Sequence, residues 1–228
     1  MSLNFADKAI QFFSELKPPG RLPPGVQPLF PHKDPAIQLL IRQFFKRFYG
    51  GDQPRVMLIG INPGRLGAGI TGINFTAPKQ LEANCGISHD LGDSSELSAE
   101  FIYEVITAFG GPLAFYQQFY LGSVSPIGFI KAGRNLNYYD DPLLLERIRP
   151  YAVKQISKQL DFGIKKSAAI CIGGDKNLRF LKSVNDEFNF FEELRVVPHP
   201  RFILQYRRSK KEEFIQQYLK ELLYCIKK

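Results

Sequence analysis

Two short segments of the sequence place a polar side chain directly after an apolar run. Gly60-Ile61-Asn62-Pro63-Gly64 ends one run, and Val197-Pro198-His199-Pro200 ends another. Prolines and glycines stiffen both turns, and amide and imidazole side chains can each hydrogen-bond a substrate. Asn62 and His199 are therefore the candidate catalytic residues. An Asn-Pro-Gly turn and a lone histidine are also ordinary structural features, so each residue alone leaves a purely structural role open.

The glycine-rich stretch that begins at Gly60 could instead bind phosphate, because glycines let backbone amides approach an anion. Gly64 to Thr71 has nearly the spacing of a phosphate-binding loop, but Ile70 stands where that motif needs a lysine. Residues 67–72 satisfy GxGxxG, yet they start seven residues after the strand and lead into no predicted helix. Neither nucleotide-binding motif is therefore well supported.

Hydrophobic patterns predict the elements that position these residues. Short apolar runs predict buried strands, and apolar residues at helical spacing predict the helices between them. The predicted strands are Arg55–Gly60, Phe119–Val124, Ala168–Ile172 and Leu194–Val197, and the predicted helices start at Pro35, Leu97, Pro142 and Asp175, with a final helix behind a capping box at 209–212.

This alternation predicts an α/β fold with three layers, α/β/α, around a central four-stranded, mostly parallel sheet. We expect one domain over residues 1–228, with a helical segment at 1–50 packed on it. Ligands bind outside the carboxyl ends of the strands in such sheets. Asn62 and His199 both follow predicted strands, and their convergence at one sheet edge favours a functional role.

Composition narrows the class of protein. The chain has 228 residues, a net charge of +8 and a sequence pI of about 9.3, which favours a polyanionic partner. Its three cysteines form no CxxC pair, so we expect neither a metal site nor disulfides, and no cofactor. No apolar run is long enough to cross a membrane. We expect a monomer that stays inside the cell.

The segment after His199 combines large apolar and basic side chains. Exposed apolar residues bracketed by arginines suit a wedge that unstacks bases while cations hold phosphates. The same apolar residues could equally pack under the last helix. The candidate DNA-binding residues in this segment are Arg201, Phe202, Ile203, Arg207 and Arg208.

Together the motifs resemble the single-strand-selective monofunctional branch of the uracil-DNA glycosylases. That branch has a strand followed by Gly-Met-Asn-Pro-Gly, a glycine-containing stretch, Thr-Gly and a phenylalanine. The chain has Gly60-Ile61-Asn62-Pro63-Gly64 and, at the same spacing, Thr71-Gly72-Ile73-Asn74-Phe75. His199-Pro200 and Gly133-Arg134-Asn135-Leu136 match two further stretches of the branch. The resemblance spans the chain from about Val56 to its end.

The resemblance implies a monofunctional DNA glycosylase that hydrolyses the N-glycosidic bond of a damaged base and so starts base excision repair. Asn62 would hold or polarise the attacking water, and His199 would hydrogen-bond O2 of the leaving base. The base would stack on Phe75. Four further residues, which would line the base pocket, are Ile61, Gly64, Ala68 and Ser123.

Two departures from the branch bear on the substrate. Ser123 stands where the family usually has an asparagine that reads the base edge, and Ala68 stands where the branch often has a bulky methionine. Ala68 leaves more room beside C5 of the base. We therefore expect both uracil and 5-hydroxymethyluracil in DNA to be substrates.

Two other functions remain open at this point. A non-catalytic module could use the glycine-rich loop and the basic carboxyl-terminal third to bind nucleic acid or a nucleotide. A nuclease or phosphatase would need carboxylates to hold metal ions. Asp175 is the one acid within a few residues of the carboxyl ends of the four predicted strands, so metal-dependent chemistry is disfavoured.

Overall fold

The computed structural model describes residues 3–228, and two sheets form its framework. Four parallel strands make the central sheet, in the order β3-β2-β6-β7, and three antiparallel strands make a smaller one, in the order β1-β4-β5. The strands are β1 (Val26–Leu29), β2 (Arg55–Gly60), β3 (Phe119–Ser123), β4 (Gly128–Lys131), β5 (Arg134–Leu136), β6 (Ile164–Ile172) and β7 (Leu194–Val197).

Helices flank the central sheet, which confirms the predicted α/β fold. They are α1 (Phe5–Ser14), α2 (Pro35–Phe48), α3 (Ala68–Thr71), α4 (Pro78–Ala83), α5 (Leu97–Phe109), α6 (Pro112–Gln118), α7 (Pro142–Leu160), α8 (Asp175–Phe188), α9 (Pro200–Tyr206) and α10 (Lys211–Lys227). Within residues 3–228, none of these helices has both the length and the apolar character that a membrane crossing requires.

The apolar sequences of its strands explain why the central sheet is buried. Every residue of β2 and β3 is buried, as expected for parallel strands that are covered on both faces. All neighbouring strands in this sheet run parallel, so their carboxyl ends lie at one edge. That edge carries both Asn62, just beyond β2, and His199, just beyond β7.

The small antiparallel sheet was not predicted. Its strands are only three or four residues long and carry polar residues and a proline, so no apolar run marks them. Ala132 and Gly133 both have positive φ, 50° and 73°, which is the backbone of a tight hairpin turn between β4 and β5. This hairpin brings Asn135 and Leu136 beside the loop after β2.

Two local predictions in the carboxyl-terminal third were wrong. The predicted capping box at residues 209–212 does not form, because Lys210 precedes α10 and provides no side-chain cap. Ser209 lies instead in a 3-10 turn at Arg208–Lys210. The segment after His199 forms helix α9, whereas the sequence predicted no helix there.

Arg55 is fully buried at the amino end of β2, at the opposite end of the strand from Asn62. Its guanidinium donates hydrogen bonds to the carbonyls of Tyr116 (2.8 Å), Gln53 (3.1 Å) and Gly50 (3.0 Å). It also lies 4.4 Å from the centre of the Phe5 ring, a cation–π contact. The Arg55 guanidinium therefore connects α1 to the central sheet.

Replacing Arg55 with Ala should destabilise the protein by about 3 kcal/mol or more, because three carbonyls, of which that of Tyr116 is buried, lose their donor and a cavity remains. Denaturant unfolding of both proteins measures the difference. Arg21→Ala, a change at an exposed arginine, is the matched control and should cost about 0.5 kcal/mol or less. Equal stability of the two variants would contradict this account.

Candidate active site

One cavity of about 260 Å³ lies at the carboxyl edge of the central sheet. It combines aromatic rings, backbone and a few polar groups, as small-molecule sites do. Its lining comes mainly from the loops after β2, β5 and β7 and from α9, with Ser123 at the end of β3 and Gly174 in the loop after β6. The lining includes the predicted residues Asn62, His199, Ile61, Gly64, Ala68, Phe75, Ser123, Arg201 and Phe202.

Asn62 is held at both ends of its side-chain amide. Its Oδ1 accepts a hydrogen bond from the backbone N–H of Tyr138 (3.0 Å), and its Nδ2 donates to the carbonyl of Leu136 (3.2 Å). A backbone N–H can only donate and a carbonyl can only accept, so the amide orientation is fixed. A carbonyl oxygen has two lone pairs, and the second on Oδ1 is left to accept a hydrogen bond from water.

His199 is the N-cap of α9, and its Nδ1 accepts a hydrogen bond from the backbone N–H of Arg201 (3.2 Å). A neutral imidazole that accepts through Nδ1 carries its proton on Nε2. Burial, with a smaller contribution from the Arg201 charge, lowers the pKa of His199 to about 4. Near neutral pH the ring is therefore an uncharged donor through Nε2.

Phe75 lies directly over the end of β2. A Cβ atom added to Gly60 would lie 2.7 Å from Cζ of Phe75, so only glycine permits this close approach. Phe75 itself has a φ of 55°, a left-handed conformation that is uncommon for a bulky residue and that concentrates at functional sites. The ring provides a flat apolar wall for the cavity.

Ser123, the last residue of β3, is buried at the cavity wall. Its Oγ donates a hydrogen bond to the carbonyl of Ser125 (2.9 Å). The hydroxyl has one proton, so towards the cavity it can offer only oxygen lone pairs. Ser123 can thus accept a hydrogen bond from a ligand but cannot donate one while this contact persists.

The predicted DNA-binding segment divides into two faces. Ile203 is completely buried, so its prediction as a DNA contact is wrong: α9 turns this side chain into the core. Phe202 is 42% exposed at the cavity mouth, with the Arg207 guanidinium 5.6 Å from its ring centre. Arg201 and Arg208 are exposed, and Arg208 also bonds the carbonyl of Leu204.

The cavity also contains residues that sequence reasoning missed. Glu96, which precedes α5, lines the wall beside Gly64, and burial raises the pKa of its carboxyl. Asn74 lies next to Phe75 and is buried at the lining. Both residues lie in the long segment between β2 and α5, where the sequence has no periodic pattern that predicts which side chains face inward. The lining further includes Asn135, Asn137, Tyr139, Gln205 and Tyr206.

Glu96 does not create a metal centre. Among residues 3–228, no three His, Cys, Asp or Glu side chains are grouped closely enough to hold a metal ion.

The tautomer and pKa of His199 can be measured directly. We expect its nitrogen NMR signals to show a neutral ring with the proton on Nε2 between pH 6 and 8, and a midpoint near 4. The folded-state pKa lies below the ordinary 6.5, so the neutral ring contributes stability above about pH 6.5. That contribution is lost as the pH falls towards 4. His199→Gln assigns the signal, and a midpoint near 6.5 would contradict this account.

Comparison with known proteins identifies the family. The family model of the Uracil DNA glycosylase superfamily matches residues 48–223. No curated protein matches the chain. A solved structure described as "The crystal structure of WT Pedobacter heparinus SMUG2" is 39% identical, with a TM-score of 0.95 over 100% of both chains. The chain therefore belongs to the uracil-DNA glycosylase superfamily, a group of hydrolases that act on DNA.

Proposed function

We propose that the protein is a monofunctional glycosylase that releases uracil from DNA and also accepts 5-substituted uracils such as 5-hydroxymethyluracil. The observation that carries the proposal is the meeting of Asn62, His199 and Phe75 around one cavity at the carboxyl edge of the sheet. We further propose that it acts as a monomer inside the cell, where its DNA substrate is.

The cavity suits a base that has left the helical stack. A flipped base is gripped by stacking and by hydrogen bonds to its polar edge. In the proposed complex, the base stacks on Phe75, and Nε2–H of His199 donates to O2. Cleavage leaves negative charge on the base, and a fixed donor at O2 stabilises that charge in the transition state. A neutral imidazole can do this across the neutral pH range.

Asn62 would orient the attacking water molecule. The free lone pair of Oδ1 can accept a hydrogen bond from a water molecule and so orient it towards C1′ of the sugar. An amide is a far weaker base than a carboxylate, so it removes no proton early in the reaction. The rate would then depend mainly on stabilising the leaving base and the oxocarbenium-like sugar, to which the DNA phosphates contribute.

The lining also favours simple hydrolysis. A glycosylase that cleaves the strand as well forms an imine, which requires an amine nucleophile such as a lysine. In the described part of the chain, the residues around this cavity include no lysine. Water is then the nucleophile, and the product is an intact strand with an abasic site.

The proposed DNA contacts surround the cavity mouth. Arg201 and Phe202 line the cavity and are exposed, so they would meet the strand on either side of the flipped nucleotide. Arg207 and Arg208 follow on the same surface and would contact phosphates. Of these residues, Phe202 is the apolar one and is therefore the proposed wedge.

The first test is base release from an oligonucleotide with one uracil, developed with alkali and run with chelator present. Wild-type protein should cleave, and Asn62→Ala should lower release by about a hundredfold or more while binding to undamaged DNA persists. The reason is that Asn62 acts on the transition state and has no part in the phosphate contacts.

The Asn62 side chain also holds the loop after β2 in place, so a melting curve of Asn62→Ala must accompany the assay. Asn62→Asp keeps an acceptor for the Tyr138 N–H but loses the donor to the Leu136 carbonyl, so it retains one of the two bracing contacts. Full activity of a folded Asn62→Ala protein would contradict the proposed role. If wild type is inactive on uracil and on 5-hydroxymethyluracil, the proposed substrates are wrong and oxidised bases are the next ones to assay.

A larger side chain at position 68 tests whether the cavity has room beside C5 of the base. Ala68 is buried at the cavity wall, and Ala68→Met would fill that space. We expect the variant to lose about tenfold to a hundredfold more activity on 5-hydroxymethyluracil than on uracil, the range that a few buried atoms confer. The measurement is the ratio of kcat/KM on the two substrates. An unchanged ratio would mean that the 5-substituent lies elsewhere.

A further inference from the structure

We propose that Asn74 reads the edge of the flipped base that carries N3 and O4. This proposal rests on the proposed function, because it takes uracil as the base in the cavity. It assigns base selectivity to a loop residue, in place of the residue at the end of β3.

The backbone directs Asn74 into the cavity. Asn74 and Phe75 are the two central residues of a turn that is closed by a hydrogen bond from the backbone N–H of Thr76 to the carbonyl of Ile73 (3.1 Å). Phe75 has a left-handed φ of 55° in this turn. Both side chains line the same cavity, one with an amide and the other with a ring. Strain of this kind at a cavity wall suits a residue pair that is held in place for a ligand.

The Asn74 amide is anchored to the central sheet. Its Nδ2 donates a hydrogen bond to the carbonyl of Leu121 (3.2 Å), two residues before Ser123 on β3. β3 is an edge strand, so its outward carbonyls have no neighbouring strand to pair with. Because a carbonyl can only accept, Nδ2 must face Leu121. The anchor therefore fixes which end of the amide is the donor.

One donor and one acceptor remain on the anchored amide. Nδ2 has a second hydrogen. Within residues 3–228, Oδ1 has no hydrogen-bond partner, and it is not among the buried polar atoms that are cut off from solvent. Uracil presents an N3–H donor beside the O4 acceptor, so N3–H can donate to Oδ1 while Nδ2–H donates to O4. Cytosine presents the reverse pattern, which the anchored amide cannot match by rotating.

Ser123 cannot provide this pair of bonds alone. Its hydroxyl proton is already used on the carbonyl of Ser125, so it has no donor for O4. Towards a base it can only accept hydrogen bonds. A site that must distinguish uracil from cytosine by paired hydrogen bonds needs the amide of Asn74.

The test compares uracil with 3-methyluracil, which lacks the N3–H donor, in otherwise identical oligonucleotides. Wild type, Asn74→Ala, Asn74→Leu and Ser123→Ala are assayed for base release. Asn74→Leu keeps the side-chain volume and removes its polar atoms, and melting curves establish that each variant is folded. A site built around hydrogen bonds rejects, by a large factor, an analogue that lacks one of the bonding groups. We therefore expect wild type to release uracil about a hundredfold or more faster than 3-methyluracil.

In both Asn74 variants that preference should shrink to about tenfold or less, mainly because uracil release falls, whereas Ser123→Ala should keep most of it. A preference that is unchanged in the Asn74 variants, or one that collapses only in Ser123→Ala, would overturn the proposal. A merely structural role for Asn74 would slow both substrates alike and leave the ratio unchanged.

If wild type releases no base from any oligonucleotide, the proposed function fails, and the contact is tested by binding alone. Free uracil and free 3-methyluracil are then titrated while the side-chain amide signals of Asn74 are followed by NMR. A shift with uracil and none with 3-methyluracil supports the contact. No shift with either base overturns it.

Discussion

The side chain of Asn62 joins the two sheets of the protein, and the candidate site depends on that junction. Its amide bonds the carbonyl of Leu136 at the end of β5 and the N–H of Tyr138 just beyond it, while the residue itself lies just beyond β2. A second amide, of Asn135, accepts from the backbone N–H of Arg65 (3.0 Å) and fastens the same two segments. The small antiparallel sheet therefore acts as a clamp on the loop that begins the active site.

Much of the fold could be predicted from the sequence, because β2 and β7 are apolar runs bounded by turn residues. The positions of Asn62 and His199 could be predicted because each residue closely follows a predicted strand. The side-chain directions inside long loops could not be predicted: Asn74 and Phe75 both line the cavity from one turn, in which Phe75 has a left-handed backbone. Ile203 was predicted at the surface because no helix was predicted after His199, and the seven residues of α9 are too few to show which face is buried.

The two proposed catalytic side chains carry no charge near pH 7. Asn62 is an amide, and His199 is neutral because its pKa is lowered to about 4. Most of the other polar groups in the lining are amides and hydroxyls, which act through dipoles held in fixed directions. Preorganised dipoles stabilise charge as it develops without a reorganisation cost during the reaction. Arg201 also lines the cavity and is exposed at its mouth, where the phosphates would be.

The N-cap position of His199 links two surfaces of the molecule. The imidazole that would stabilise the leaving base is bonded to the first turn of α9, and that helix also carries Arg201 and Phe202 at the cavity mouth. A load on the exposed side of this short helix is transmitted to the ring through one hydrogen bond of 3.2 Å. If DNA binds Arg201 and Phe202 as proposed, its binding would also set the direction of the His199 donor, because both depend on the position of α9.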